Sequence, residues 1–384
     1  MLKFELLKQL NKIEGTDPSR ARLGTITTDH GIIQTPIFMP VGTLGSVKSI
    51  SVEELDHCRA QIILGNTYHL YLRPGCEVIK HMEGLHEFIR WDKPMLTDSG
   101  GFQFFSLAKL AKFSDEGVSF QSHIDGSRHF FSPEKAVEIQ MILGSDIMMS
   151  LDFCMGYPAS EKQTMDAVNK TFYWAKRGFD FWQEKGTSNN LFGIIQGGMS
   201  KQFRSLSAGQ LTGIDFPGFA IGGLSVGEPK DLMYEMADHT LPLMPVHKPR
   251  YIMGVGTPED LVELVGMGCD MFDCVMPSRN ARNGQLFTSK GTINIPNARF
   301  RFDKDPIDED CNCYTCQNYS KSYLRHLYKS RELLSYRLNT IHNIYYYLDL
   351  MRKMREAIAK DRFLEFKRNF YSQRQNCTMV NGEL

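Results

Sequence analysis

Eight short and nearly unbroken apolar runs recur along this chain, and stretches of helical periodicity lie between several of them. The runs are TPIFMPVG from Thr35, QIILGNTYHL from Gln61, PMLTDSGGF from Pro94, SDIMMSLDF from Ser145, NLFGIIQGG from Asn190, GFAIGGL from Gly218, RYIMGVG from Arg250 and DMFDCVM from Asp270. A strand wetted on one face alternates apolar and polar residues, whereas a run that is apolar throughout needs cover on both faces. Parallel strands joined through helices provide that cover. Helix starts stand where such crossovers require them. Ser132-Pro133-Glu134 opens SPEKAVEIQMIL, Thr257-Pro258 opens TPEDLVELVGMG, and Ser160 opens a long run to Lys185. Each places a hydroxyl at the N-cap, and two place proline in the first turn. Eight such units predict an α/β fold, a (β/α)8 barrel of the TIM type. A doubly wound sheet is the runner-up.

Two stretches interrupt the pattern. Residues 104–131 alternate polar and apolar side chains around the turn pair Asp125-Gly126, which predicts a small antiparallel insertion. Residues 285–345 carry three clustered cysteines. Near the start, RLGTITTDHGIIQTP reads as a hairpin closing the barrel bottom. The expected organisation is therefore a barrel core over 1–284 that includes the hairpin and the insertion near 104–131. A zinc-binding subdomain over 285–345 is inserted near strand eight. A helical segment over 346–384 packs on the barrel, with its tail frayed after about Tyr371.

Of nine cysteines only Cys311, Cys313 and Cys316 cluster. The N-terminal MLKFELLKQL lacks the marks of a signal peptide, and no run reaches the ~18 apolar residues of a membrane span. A cytoplasmic protein is expected, and in a reducing compartment such a cluster favours a metal over disulfides. Three thiolates and one imidazole fill a tetrahedral zinc shell and leave no position for substrate, so one structural Zn2+ per chain is expected. By spacing alone His342 and His326 both qualify as the fourth ligand.

In a barrel, reactive groups gather where the strands end. Those ends carry Asp98 in TDSGGFQ, Asp152 in SLDFC, Gln196 in IIQGG, Gly223 and Glu228 in IGGLSVGE, and Asp273 in FDCVMP. Carboxylates amid glycines suit a planar polar ligand, because one carboxylate accepts two N–H donors at once. A carboxylate pair can also serve as nucleophile and acid/base at a glycosidic bond. The plain alternative is that each aspartate caps the next helix. The net charge is zero, yet residues 320–376 hold 13 Lys/Arg against 5 Asp/Glu. That excess reads as a solvated helical face or as a phosphate footprint.

At these residues the sequence becomes recognisable. TPIFMPVGT, GNTYHLYLRPG, TDSGGFQ, IIQGG, AIGGLSVGE, YIMGVGTPE and MFDCVMPSRNARNG, followed by the cysteine cluster and a late histidine, resemble the bacterial type of the tRNA-guanine transglycosylases, or queuine/preQ1 tRNA-ribosyltransferases. The likeness spans about Arg20 to Phe370. It implies replacement of guanine at the wobble position of tRNAs with GUN anticodons (Asp, Asn, His, Tyr) by a 7-deazaguanine, in queuosine biosynthesis. By the family's motifs Asp273 is the nucleophile at the ribose and Asp98 the general acid/base. Asp152, Gln196 and Gly223 would bind the base edge, and Phe102 and Met253 would sandwich the ring. Arg279 and Arg282 would contact the tRNA anticodon loop, and His342 would complete the zinc site. A homodimer is implied as well. Val226 and Cys154 match the bacterial pattern, which favours 7-aminomethyl-7-deazaguanine (preQ1); queuine used directly is the alternative. Phe153 departs from it, standing where many bacterial members carry an acidic residue. A catalytically inactive RNA-binding subunit and a sugar-cleaving barrel are the competing classes, and retention of all three aspartates speaks against the first.

Overall fold

The computed structural model describes residues 2–10, 19–106 and 111–380, the last six of them as backbone only. Eight parallel strands close a barrel in chain order. They are Ile37–Met39 continued by Val41–Gly42, then Ile63–Gly65, Met95–Thr97, Ile147–Met149, Asn190–Ile195, Gly218–Ile221, Arg250–Ile252 and Met271–Asp273. Closure falls on the first strand. Its Ile37–Met39 half pairs with the eighth strand and its Val41–Gly42 half with the second. Pro40 between them has no N–H to contribute to a ladder, so the strand breaks there and changes neighbours.

Side chains alternate across the barrel wall. Ile37, Met39, Leu64, Leu96, Ile194 and Tyr251 point into the barrel. Phe38, Ile63, Met95, Ile195, Ile252 and Phe272 point outward into the layer shared with the helices. Both faces are dry, which is why the runs read as apolar throughout. The strands are shorter than the runs. NTYHL turns into the helix Thr67–Leu72, whose first turn is capped by the Asn66 side chain accepting from His69 N–H at 3.0 Å. The run from Pro94 passes into the helix Gly101–Ser106, and Met276 begins the helix Met276–Arg282. Apolarity marks burial and not strand, so it gives no signal where a buried strand becomes a buried helix. The helices expected at Ser132, Ser160 and Thr257 form as Pro133–Leu143, Glu161–Lys185 and Pro258–Gly266, each capped by the expected hydroxyl.

The bottom of the barrel is plugged by a three-stranded antiparallel sheet, Lys3–Gln9, Arg22–Thr28 and Gly31–Thr35. The hairpin is the expected one; the strand Lys3–Gln9 beside it was not. Ile26 and Ile33 drop from this sheet into the barrel interior. Bonds to the strand starts tie it in place, among them His30 Nδ1 to Asp146 Oδ1 at 2.9 Å, Leu2 N–H to Asn190 Oδ1 at 2.7 Å and Gln34 N–H to Gln61 Oε1 at 2.8 Å. The antiparallel insertion is present as Ala111–Phe113, Val118–Gln121 and Arg128–Phe131, while its residues 107–110 lie outside the described residues.

After strand eight come a hairpin, Gln285–Thr288 with Gly291–Asn294, and the helices Tyr314–Asn318, Lys321–Lys329, Leu333–Ala359 and Phe363–Val380. Helix Leu333–Ala359 is 27 residues long and runs without a break through residues 345 and 346. Its Tyr347 hydroxyl donates to the Gly256 carbonyl at 2.8 Å, and Arg355 donates to the Pro36 carbonyl at 2.7 Å. The last helix is described as far as Val380.

Neighbouring isoleucines of the hairpin test the plug. Ile33 is fully buried and Ile32 is 61% exposed. Ile33→Ala should destabilise by about 2–4 kcal/mol in urea unfolding, and Ile32→Ala by less than about 0.5 kcal/mol. Equal effects would show that the hairpin does not seal the interior.

Candidate active site

The alternation that sends Leu96, Ile194 and Tyr251 into the barrel continues past the strand ends, so Asp98, Gln196 and Met253 emerge on the same inner side at its mouth. Asp273 closes strand eight. Asp98 accepts from the backbone N–H of Thr67 at 2.9 Å and of Gly100 at 3.2 Å, and from the Asn66 side chain. Burial pushes its carboxyl up to about 7; the charges of Asp273 and Asp152 push the same way, against those backbone donors.

Asp273 is held differently. Its Oδ1 accepts both the Tyr251 hydroxyl at 2.5 Å and the Gly254 N–H at 2.8 Å, while no donor is bonded to Oδ2 among the described residues. Burial raises its pKa and these two donors resist the rise. The buried Tyr251 hydroxyl is itself pushed well above its ordinary value, so it remains a donor. Asp152 accepts from Ser99 Oγ at 3.0 Å and from Gln196 Nε2 at 2.7 Å, and burial raises it too. Neither Asp152 nor Asp273 caps a helix. Asp98 alone touches one, through Thr67.

Glycines make room for this arrangement. A Cβ at Gly101 would lie 2.4 Å from Asp152 Oδ1, and one at Gly223 would lie 2.4 Å from Gln196 Oε1. Gly223 also has φ +63°, which favours glycine. A cavity of about 340 Å³ joins Gln196, Gly223 and Val226 beside Met155 and Tyr157. Glu228 accepts from the N–H groups of Ser225 and Val226 at 2.5 and 2.8 Å and so fixes the loop after strand six. Phe102 is 52% exposed on the helix after strand three, and Met253 packs on top of the interior cluster. Arg279 is exposed, and Arg282, half-buried, donates to the Ser278 carbonyl at 2.8 Å. Phe153 turns away from the cavity, its ring packing on Phe113 at 4.7 Å and Trp174 at 6.3 Å.

The sequence reading missed Arg204, Tyr251, Asn66 and Ser99. Arg204 is fully buried between the loops after strands five and six. Its spacing to the buried Ser207, Ala208 and Leu211 along Lys201–Thr212 is the one signal that places it on the inward face. Of the 13 cations over 320–376, Lys321, Arg337, Arg352, Lys353, Arg362, Lys367 and Arg374 sit in salt bridges.

Away from the mouth, Cys311, Cys313, Cys316 and His342 converge, all buried. The three sulfurs lie 3.7, 3.5 and 3.3 Å from His342 Nδ1. His342 Nε2 faces the Phe287 carbonyl at 2.7 Å, which orients the ring with Nδ1 toward the thiolates. The set fits a closed tetrahedral metal ion. His326 stands apart, stacked on Tyr323.

These features define an α/β-barrel protein with an acidic mouth and a separate Cys3His unit that can hold a metal. The profile of the queuine tRNA-ribosyltransferase family matches residues 17–376. The chain is 72% identical over 375 residues to a queuine tRNA-ribosyltransferase of Desulforapulum autotrophicum, covering 98% of this chain and all of that one. It is 56% identical over 359 residues to that of Desulfosudis oleivorans, covering 93% and 94%, and 57% identical over 353 residues to that of Caldanaerobacter subterraneus, covering 92% and 94%. The chain belongs to the queuine tRNA-ribosyltransferase family, a family of tRNA-modifying transferases.

The state of Asp98 is open to measurement. A carboxyl at about 7 in the folded chain and near 3.8 when free makes the folded state bind the extra proton between those values. Stability therefore falls as pH rises from about 4 to 7, by up to roughly 4 kcal/mol, and then levels off. Asp98→Asn removes this term. Its melting temperature relative to the unmodified protein should climb between pH 5 and 8; a constant difference would show that Asp98 is not shifted.

Proposed function

We propose that this protein exchanges guanine at the wobble position of GUN-anticodon tRNAs (Asp, Asn, His, Tyr) for preQ1, through a covalent ribosyl–aspartate. The observation that carries the reading is the asymmetry of the carboxylates at the mouth. Asp273 has one oxygen bound by two donors and the other unbonded. Asp98 holds its proton up to about pH 7. The first is the requirement for a nucleophile, the second for an acid/base working near neutrality.

In this mechanism Asp273 Oδ2 attacks the ribose C1′ as the bond from C1′ to the guanine N9 breaks. Asp98 gives its proton to the departing purine. The incoming base then loses its N9 proton to Asp98, attacks C1′ and displaces Asp273. Two inversions restore the original configuration. Asp152, steadied by Ser99 and Gln196, accepts the N1–H and exocyclic amine of the base. Gln196 and the Gly223 amide face its carbonyl, and Phe102 and Met253 cover its two faces. The wobble base must leave the anticodon stack, which costs less in a loop than in a duplex. Arg279 and Arg282 follow strand eight closely and contact the flanking nucleotides.

Val226 supports preQ1 over queuine, since its branched side chain lines the cavity beside Gln196 and Gly223, where queuine's larger 7-substituent would have to lie. Phe153 does not alter this, because its ring packs elsewhere. The Cys3His set suits one structural zinc ion in a unit over about 285–345. The protein works in the cytoplasm as a homodimer. No helix among the described residues is long and apolar enough to cross a membrane.

Radiolabelled guanine should enter a GUN-anticodon tRNA when the zinc-loaded protein is added; no incorporation by folded protein would refute the exchange. Asp273→Asn should trap no tRNA adduct on a denaturing gel, and a surviving adduct would move the nucleophile to another carboxylate. In competition, preQ1 should be used in preference to queuine, and Val226→Gly should narrow the gap. A queuine preference in the unmodified protein would overturn the assignment of the base.

A further inference from the structure

Arg204 sits at the fourth position of the helix Lys201–Thr212 and has no exposed surface. Every acceptor it binds is a main-chain carbonyl. Nε donates to Gly198 at 2.9 Å, Nη1 to Ile195 at 3.1 Å and to Gly222 at 2.8 Å, and Nη2 to Gly223 at 3.1 Å. Burial lowers the guanidinium to about 10, still far above neutrality, so the charge stays. A cation taken out of water without a carboxylate in the pair is costly, and four carbonyl dipoles offset that cost only if they are held in place.

Two of the four carbonyls it holds belong to the glycine pair Gly222-Gly223, where no Cβ restricts the backbone. In a trans peptide the C=O and the following N–H point in opposite directions. With the Gly222 carbonyl drawn to Arg204, the Gly223 N–H is turned away from the guanidinium. Gly223 lines the cavity, and its N–H is bonded to no acceptor among the described residues. If that peptide flipped, the cavity would receive a carbonyl oxygen in place of a donor.

We propose that Arg204 is a positioning residue for base exchange: by fixing the Gly222 and Gly223 carbonyls it aims the Gly223 N–H at the carbonyl oxygen of the purine. This rests on the reading of the mouth beside Asp152, Gln196 and Gly223 as the base site. Loss of Arg204 should then weaken recognition of that one oxygen, while the aspartates and the tRNA contacts persist.

Arg204→Lys keeps the charge but offers no planar fork to span four carbonyls. In guanine exchange its KM for guanine should rise about tenfold, with the KM for tRNA within about twofold. The comparison that isolates the oxygen uses 6-thioguanine as a competitive inhibitor. It keeps N1–H and the exocyclic amine but presents a weaker acceptor. The preference for guanine over 6-thioguanine should shrink in the variant by a factor similar to the KM change. In Arg204→Ala, added guanidinium ion should restore part of it; should that variant not fold, the lysine variant carries the comparison. An unchanged guanine KM, or an unchanged preference alongside a general fall in kcat and melting temperature, would overturn the proposal. Absence of guanine exchange by the unmodified protein would instead refute the reading of the site.

Discussion

Closure of the barrel through the first strand governs where everything else can stand. Ile37–Met39 completes the ladder with strand eight and Val41–Gly42 completes it with strand two. Without that double pairing the sheet would have two edges, and strands three, four, five and eight would not deliver their ends to one rim. With it, a side chain two residues beyond an inward-facing one must emerge at the mouth. Asp98 follows Leu96 and Gln196 follows Ile194 for this reason. The bottom is closed by a different device, a sheet whose isoleucines fill the interior that the strand side chains leave.

Three carboxylates so delivered would repel one another and be neutralised if their surroundings were alike. The structure keeps them apart in character by the donors each receives. Asp152 receives two side-chain donors, Asp273 a hydroxyl and an amide on a single oxygen, and Asp98 two amides and a side-chain amide. The donors come from neighbouring strand ends, so the barrel wall and the electrostatics of the mouth are one construction. Gly101 and Gly223 belong to it as well, since any side chain there would occupy space that Asp152 and Gln196 use.

Much of this was legible from the sequence, and the rest was hidden for physical reasons. The barrel was readable because strands buried on both faces have a distinct pattern, and the aspartates because barrel strands end at the mouth. Helix Thr67–Leu72 was read as strand because NTYHL is as buried as the strand before it. Arg204 gave little signal, because an arginine in an amphipathic helix looks like a solvent-facing residue until its carbonyl partners are seen. Tyr251 was concealed inside an apolar run, where the hydroxyl that matters to Asp273 has no counterpart in periodicity. The cationic stretch over 320–376 shows another limit. Asp349, Glu356 and Glu365 pair with it locally, but Glu54, Glu259 and Glu263 lie far off in the chain and are joined only by folding.

Helix Leu333–Ala359 ties the Cys3His unit to the barrel. His342 reaches the three cysteines from the same helix that sets Tyr347 against the Gly256 carbonyl and Arg355 against the Pro36 carbonyl. Gly256 lies just beyond strand seven, and Pro36 immediately precedes the strand that closes the ring. One residue further along the helix from His342, Asn343 bonds the Pro277 and Gln285 carbonyls at 3.0 Å each, bracketing the helix that carries Arg279 and Arg282. A metal ion held by this set would draw His342 to the thiolates and so fix the register of this helix against strand eight's outgoing segment. Its binding energy would then become folding energy for the rim that carries those arginines.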